Sequence, residues 1–178
     1  MTKGKIISSL LSLIFILCVS YVAKTYQLPE SATLAVQDIA PTVALPMASE
    51  SAVITRIIDG DTVQIATGEK VRLIGIDTPE TVDPRKGVQC FGKKASDHTK
   101  EILLNKEVTL KKDISNTDRY GRLLRYIYVG DTFINEQLVR DGYAKASSYP
   151  PDIRYQEVFL EAQKYSQENS LGLWGECY

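Results

Sequence analysis

One histidine and three cysteines are spread over 178 residues, and that scarcity removes several chemistries. A lone His98 excludes acid–base mechanisms that need a histidine pair. It sits within a helical pattern and is expected at a helix surface or boundary. Once Cys18 is set aside with the apolar N-terminal run, Cys90, Cys177 and His98 fall short of the four nitrogen or sulfur ligands of a structural zinc site. An excess of charge of one sign is also missing: the formal net charge is −1. That balance argues against a chain that coats nucleic acid stably, and for transient capture of a partner. The basic groups present are local: Arg85-Lys86, Lys111-Lys112, and the series Arg119, Arg122 and Arg125. No internal repeat is visible.

Long apolar runs are scarce too, with one exception. Lys3 and Lys5 precede a run from Ile6 to Ala23, broken only by small polar residues and Tyr21. This is the layout of a signal peptide, or of an uncleaved signal anchor. Its length is borderline for a membrane span. Acylation at Cys18 and a buried core helix are weaker alternatives: Leu17 is bulky, and lysines flank the run. Residues 24–51 scatter Pro29, Pro41 and Pro46 among Ala, Thr, Ser and Val with no lasting periodicity. Such a segment buries too little apolar surface to offset its ordering entropy, and reads as a disordered linker. The expected organisation is a leader over 1–23, a tether over 24–51 and one globular domain over 52–178. Residues 6–23 are a possible membrane tether, and the domain is expected outside the cytoplasm. Cys90 and Cys177 then form one pair in an exported domain, which favours a disulfide, two free thiols being the alternative.

Within the domain, Val53–Ile58, Val63–Ala66 and Val71–Ile76 are Val- and Ile-rich runs separated by Asp59-Gly60 and Thr67-Gly68. They predict a three-strand meander. Phe91, Ala95, Ile102 and Leu103 recur at helical spacing and predict a helix over 92–105. Two further strands are expected over 108–112 and 123–129. A short helix should follow, ending near Gly142, and Pro150-Pro151-Asp152 should introduce a last one. Leu171, Leu173 and Trp174 should dock the tail. The expected class is α+β: a five-stranded OB-like barrel with three helices, preceded by the apolar N-terminal helix and the tether.

The richest stretch is Arg72 to Glu80, where a strand carrying a guanidinium breaks at Asp77-Thr78-Pro79-Glu80. Asp59-Gly60-Asp61-Thr62 lies upstream and Asp118-Arg119-Tyr120-Gly121-Arg122 downstream. Asp61 and Asp77, expected at the ends of adjacent strands, can converge on one hard cation. Carboxylates plus a main-chain carbonyl suit Ca²⁺, which takes oxygen ligands and tolerates irregular geometry. Glu80 is turned out of the strand by Pro79 and can act as a general base. Arg72 and Arg122 can pair bidentately with a phosphate. Together these residues point to metal-dependent phosphodiester cleavage.

These strings, with Tyr126-Ile127-Tyr128, Asn135 through Gly142 and Leu171 through Trp174, resemble the staphylococcal nuclease family. The likeness runs from about Val53 to Trp174. It implies an OB-fold barrel with three helices and a calcium-dependent endonuclease, acting on DNA and RNA as transient substrates and leaving 3′-phosphate ends. It also implies Asp61, Asp77 and the main-chain oxygen of Thr78 as calcium ligands, and Glu80 as the base. Arg119 and Tyr120 match a loop that contacts a terminal phosphate, with arginine where the family has lysine. The family places two tyrosines near the base; here only Tyr149 remains, so nucleotide affinity is expected to differ. A monomer is expected. The rival functions are a non-catalytic binding module on the same fold and a calcium-stabilised structural domain. Neither uses Arg72 and Arg122 opposite the carboxylates.

Overall fold

The computed structural model describes residues 49–81 and 87–178. The expected leader, most of the tether and the Arg85-Lys86 pair lie outside the described residues. Among the described residues no helix is long and apolar enough to cross a membrane.

A long first strand, β1 (Ser49–Asp59), is shared between two neighbours. Its first half pairs with β5 (Glu107–Lys111), and its second half with β2 (Thr62–Ile65), both antiparallel. The β1–β2 register shifts between Ile54 and Arg56 and again between Ile57 and Asp59. Such bulges add bend and twist, which a strand serving both sides of a small barrel needs. β2 pairs with β3 (Lys70–Leu73), and β5 with β6 (Leu123–Val129). A parallel pairing of β3 with β6 closes the five-stranded barrel, with Val71 opposite Leu123 and Leu73 opposite Arg125. The core follows from strand alternation: Ile54, Val63, Val71, Leu73, Leu110 and Ile127 are fully buried.

The expected strand over 71–76 is interrupted. Ile74 and Gly75 form a turn, with Gly75 at φ +78, and the chain resumes as β4 (Ile76–Asp77). A Cβ at Gly75 would lie 2.2 Å from the Phe159 ring, so only glycine fits there. β4 leaves the barrel and pairs with β8 (Lys145–Ala146), not with β2. Contrary to the expectation, Asp61 and Asp77 therefore do not end adjacent strands; another contact brings them together. β7 (Thr132–Phe133) extends the sheet beyond β6.

Helix α1 (Gly92–Leu103) buries Gly92, Ala95, Thr99 and Leu103, one face at helical spacing. α2 (Ile134–Arg140) is joined to the barrel by fully buried Asn135. Its amide donates to the Ile74 carbonyl and accepts from the Ile127 N–H, both at 2.9 Å. α3 (Gln156–Glu168) packs on the core through Phe159 and Ala162. The tail forms one helical turn, α4 (Leu173–Glu176), anchored by buried Leu173, as the sequence implied. Cys90 and Cys177 form the expected disulfide, with Cα atoms 6.0 Å apart.

Candidate active site

At one end of the barrel an open cleft of about 580 Å³ is lined by Asp61, Arg72, Asp77, Glu80, Arg119 and Arg122, among others. Its centre is a guanidinium. Strand register places Arg72 opposite Thr62, the residue after Asp61. From there Arg72 Nε meets Asp61 Oδ1 at 3.2 Å and Nη2 meets Asp77 Oδ1 at 2.9 Å. Nη1 donates to the carbonyls of Leu73 and Ile76, each at 2.7 Å. One edge of a single side chain thus gathers the two carboxylates, and its other nitrogen pins the turn between β3 and β4.

Asp61 is held from several sides. Its Oδ2 accepts from the Thr78 N–H at 2.9 Å and the Thr78 hydroxyl at 3.1 Å. Its Oδ1 accepts from the Thr62 hydroxyl at 3.0 Å, and that hydroxyl accepts from Arg122 Nη1 at 3.2 Å. Thr62 is therefore a link between Arg122 and Asp61, a role its place beside Asp61 did not announce. Asp61 and Thr78 are buried, whereas the Asp77 side chain is 61% exposed toward the cleft.

Arg122 is oriented by Asp118, which accepts from its Nε at 2.7 Å and its N–H at 3.0 Å. The Tyr120 N–H adds a third bond. Desolvation alone would raise Asp118; these bonds and the Arg122 charge outweigh it and hold the carboxyl below its ordinary value. Arg119 donates to the Tyr120 hydroxyl at 2.7 Å, and both Arg119 and Arg122 lie over the exposed Tyr120 ring.

Glu80 stands at the cleft wall. Its Oε1 accepts from the Thr81 N–H. Buried Asp59 is close by, bonded to the Thr81 hydroxyl at 2.6 Å and the Gly60 N–H at 2.9 Å. Desolvation pushes the Asp59 carboxyl up to about 6, against those two bonds, with Asp61 and Glu80 adding to the rise. Asp59 and Gln89 belong to the site and were not singled out from the sequence. Asp59 had a signal, two residues before Asp61 in the same turn; Gln89 had none.

Tyr149 is not brought in. It is 74% exposed, does not line the cleft, and precedes a cis Pro150–Pro151 bond. His98 stacks on Tyr143 at 3.9 Å between ring centroids, on the helix as expected.

The cleft offers hard oxygen donors and neither imidazole nor thiolate. Among the described residues no group of three or more His, Cys, Asp or Glu side chains is placed to hold an ion. A cation here would rest on the Asp61 and Asp77 carboxylates, with main-chain, solvent and substrate oxygens completing the shell. That donor set fits a hard divalent cation and does not fit zinc.

Comparison with known proteins agrees with this architecture. The family model for Staphylococcal nuclease homologue matches residues 70–176. "Thermonuclease" of Staphylococcus intermedius is 45% identical over 128 residues, covering 70% of this chain and 76% of that protein. "Thermonuclease" of Staphylococcus hyicus is 44% identical over 124 residues, covering 68% and 73%. "Endonuclease YncB" of Bacillus subtilis (strain 168) is 36% identical over 126 residues, covering 68% and 60%. By its barrel, its motifs and these matches, the chain belongs to the staphylococcal nuclease family.

Proposed function

We propose that this protein is a calcium-dependent endonuclease that hydrolyses phosphodiester bonds of DNA and RNA and leaves 3′-phosphate ends. The observation that carries the proposal is the Arg72 guanidinium meeting Asp61 and Asp77 in a cleft that also holds Glu80 and Arg122. Asp61, Asp77 and the Thr78 main-chain oxygen would hold the cation. When bound, it supplies Lewis-acid stabilisation of negative charge at the phosphate.

The chain's own residues do the rest. Glu80 accepts the proton of the attacking water, its carboxylate steadied by the Thr81 N–H. Arg122, fixed by Asp118, meets the phosphoryl oxygens on which charge grows. Arg72 is a partner of the carboxylates in the structure described here. Were the two carboxylates to hold a cation, the Nε–Nη2 edge of Arg72 would be free to pair with a phosphate oxygen. Arg119 and Tyr120 receive a neighbouring phosphate at the mouth of the cleft. Tyr149, outside the cleft, contributes at most a loosely held base contact.

The protein is proposed to act outside the cytoplasm. The disulfide and the lysine-flanked apolar run support export, whether the leader is cleaved or retained as a tether. Digestion of single-stranded DNA and of RNA by the purified protein, with Ca²⁺ and then with chelator, tests the proposal. Cleavage only with Ca²⁺, with products that terminal transferase cannot extend at their 3′ side until dephosphorylated, is the expected result. Activity that survives chelation refutes the metal requirement. Binding without cleavage in either condition makes the protein a binding module.

A further inference from the structure

Glu80 is held by its backbone as well as its side chain, and the partner is one residue. Gln89 Oε1 accepts from the Glu80 N–H at 2.9 Å, and the Gln89 N–H donates to the Glu80 carbonyl at 2.9 Å. The two bonds clasp residues nine positions apart in the sequence. The next residue, Cys90, is bonded to Cys177.

The far end of that disulfide is firmly seated. Cys177 N–H donates to the Leu173 carbonyl, and Leu173 is buried. The Leu173 N–H in turn donates to the Gly142 carbonyl at the end of α2. The helix that follows the clasp also leans on the same backbone. A Cβ at Gly92 would lie 3.0 Å from the carbonyl oxygens of both Pro79 and Glu80. A second link between the start of α1 and the tail, Lys94 to Glu176, is an exposed ion pair and contributes little alone.

We propose that Gln89 is a positioning residue for Glu80, and that the Cys90–Cys177 disulfide holds Gln89 in place. Turnover then depends on the oxidised disulfide, given the role proposed for Glu80 above. Gln89 lines the cleft, but its side-chain acceptor is spent on the Glu80 N–H. Gln89 and the disulfide fix the main chain from which the Glu80 carboxylate reaches into the cleft. Small displacements of a general base are costly, because proton transfer requires hydrogen-bond reach.

The test uses the full chain with two substitutions at one position. Gln89→Met keeps the length and removes the acceptor; Gln89→Glu keeps an acceptor for the Glu80 N–H. With single-stranded DNA and Ca²⁺, Gln89→Met should lower kcat about fivefold to tenfold with KM within about twofold, and Gln89→Glu, though it adds charge to the cleft, should lose less kcat than Gln89→Met. Wild type reduced with dithiothreitol should behave like Gln89→Met. Amide hydrogen exchange gives a readout independent of activity. Exchange at the Glu80 N–H should quicken at least about fivefold in Gln89→Met and in the reduced protein, with the Leu110 amide in the core unchanged. Unchanged Glu80 exchange in Gln89→Met overturns the clasp, as does a rise in KM with kcat intact. Unchanged kcat on reduction overturns the dependence on the disulfide. Should reduction unfold the domain, which quickened Leu110 exchange would reveal, Gln89→Met with the disulfide intact decides the clasp, and reduction repeated in sucrose, which favours the folded state, decides the disulfide. A wild type that cleaves nothing would remove the nuclease function and leave the exchange arm to judge the clasp.

Discussion

Replacing Arg72 by methionine should tighten calcium binding while abolishing turnover. The expectation comes from where the guanidinium sits. Its Nε and Nη2 contact the same two carboxylates that are proposed to hold the cation. Calcium must therefore displace interactions already made. Hydrogen bonds to charged groups contribute about 1.5–3 kcal/mol each in protein settings. The Asp77 contact is exposed and contributes at the low end or less. Taking about 1.5 kcal/mol as the net cost that calcium no longer meets, affinity should rise about tenfold. Stability in chelator should move the other way. The Asp61 carboxylate is buried and would lose its countercharge, a change that typically costs about 3–5 kcal/mol. Saturating calcium should then restore most of that deficit, since a bound ligand adds stability by mass action. Calorimetric titration with Ca²⁺ measures the first effect, and urea unfolding with chelator and with Ca²⁺ the second. Calcium affinity equal to or weaker than wild type would refute the idea that guanidinium and cation compete for the same oxygens.

Three other outcomes follow from the same structure. Arg122→Lys keeps the charge but loses the fork and its Asp118 pairing, so kcat should fall about 10²–10³-fold while the melting temperature changes little; near-normal kcat would remove Arg122 from the phosphate. Gly75→Ala meets both a positive φ and the Phe159 ring, and urea unfolding should show a loss of about 3 kcal/mol or more, whereas a loss under 1 kcal/mol would mean the turn relaxes freely. Asp59, raised from 3.8 to about 6 by burial, binds more protons folded than unfolded between those values. Its contribution to stability therefore falls as pH rises through that window, and Asp59→Asn should remove that part of the slope in urea unfolding measured from pH 4 to 6.5 in chelator; an unchanged slope would place the titration elsewhere.

Much of the barrel is legible because its strands are contiguous Val- and Ile-rich runs set off by glycine turns. What was missed has a physical pattern. Ser49 to Ser51 are polar and exposed, yet they pair with Thr109 to Lys111 through backbone bonds that side-chain patterning does not report. β4, β7 and β8 are two residues each, too short for any period to show. The break at Gly75 depends on Phe159, far along the chain. The candidate site divides the same way. Arg72, Asp77 and Glu80 share one stretch, and their convergence with Asp61 and Arg122 on the cleft follows from the motifs. The fourfold engagement of Arg72, the Thr62 link and the Gln89 clasp are set by tertiary contact, and no local pattern encodes them. Tyr149 shows the converse: a residue taken from the resemblance alone, as the one tyrosine left after the second helix, does not line the cleft.

The parallel seam between β3 and β6 has a kinetic consequence. Val71 meets Leu123 only after the chain has completed α1 and β5, so this pairing, like that of β1 with β5, carries a large loop-closure cost. The arginines proposed to meet the phosphate sit astride it. Arg72 lies on β3, opposite Leu124, and Arg122 stands immediately before β6. Neither half of the cleft exists without the other. During refolding, activity should therefore emerge with the final closure and not with the earlier hairpins. A nascent or unfolded chain carries every residue of the nuclease and has no nuclease site.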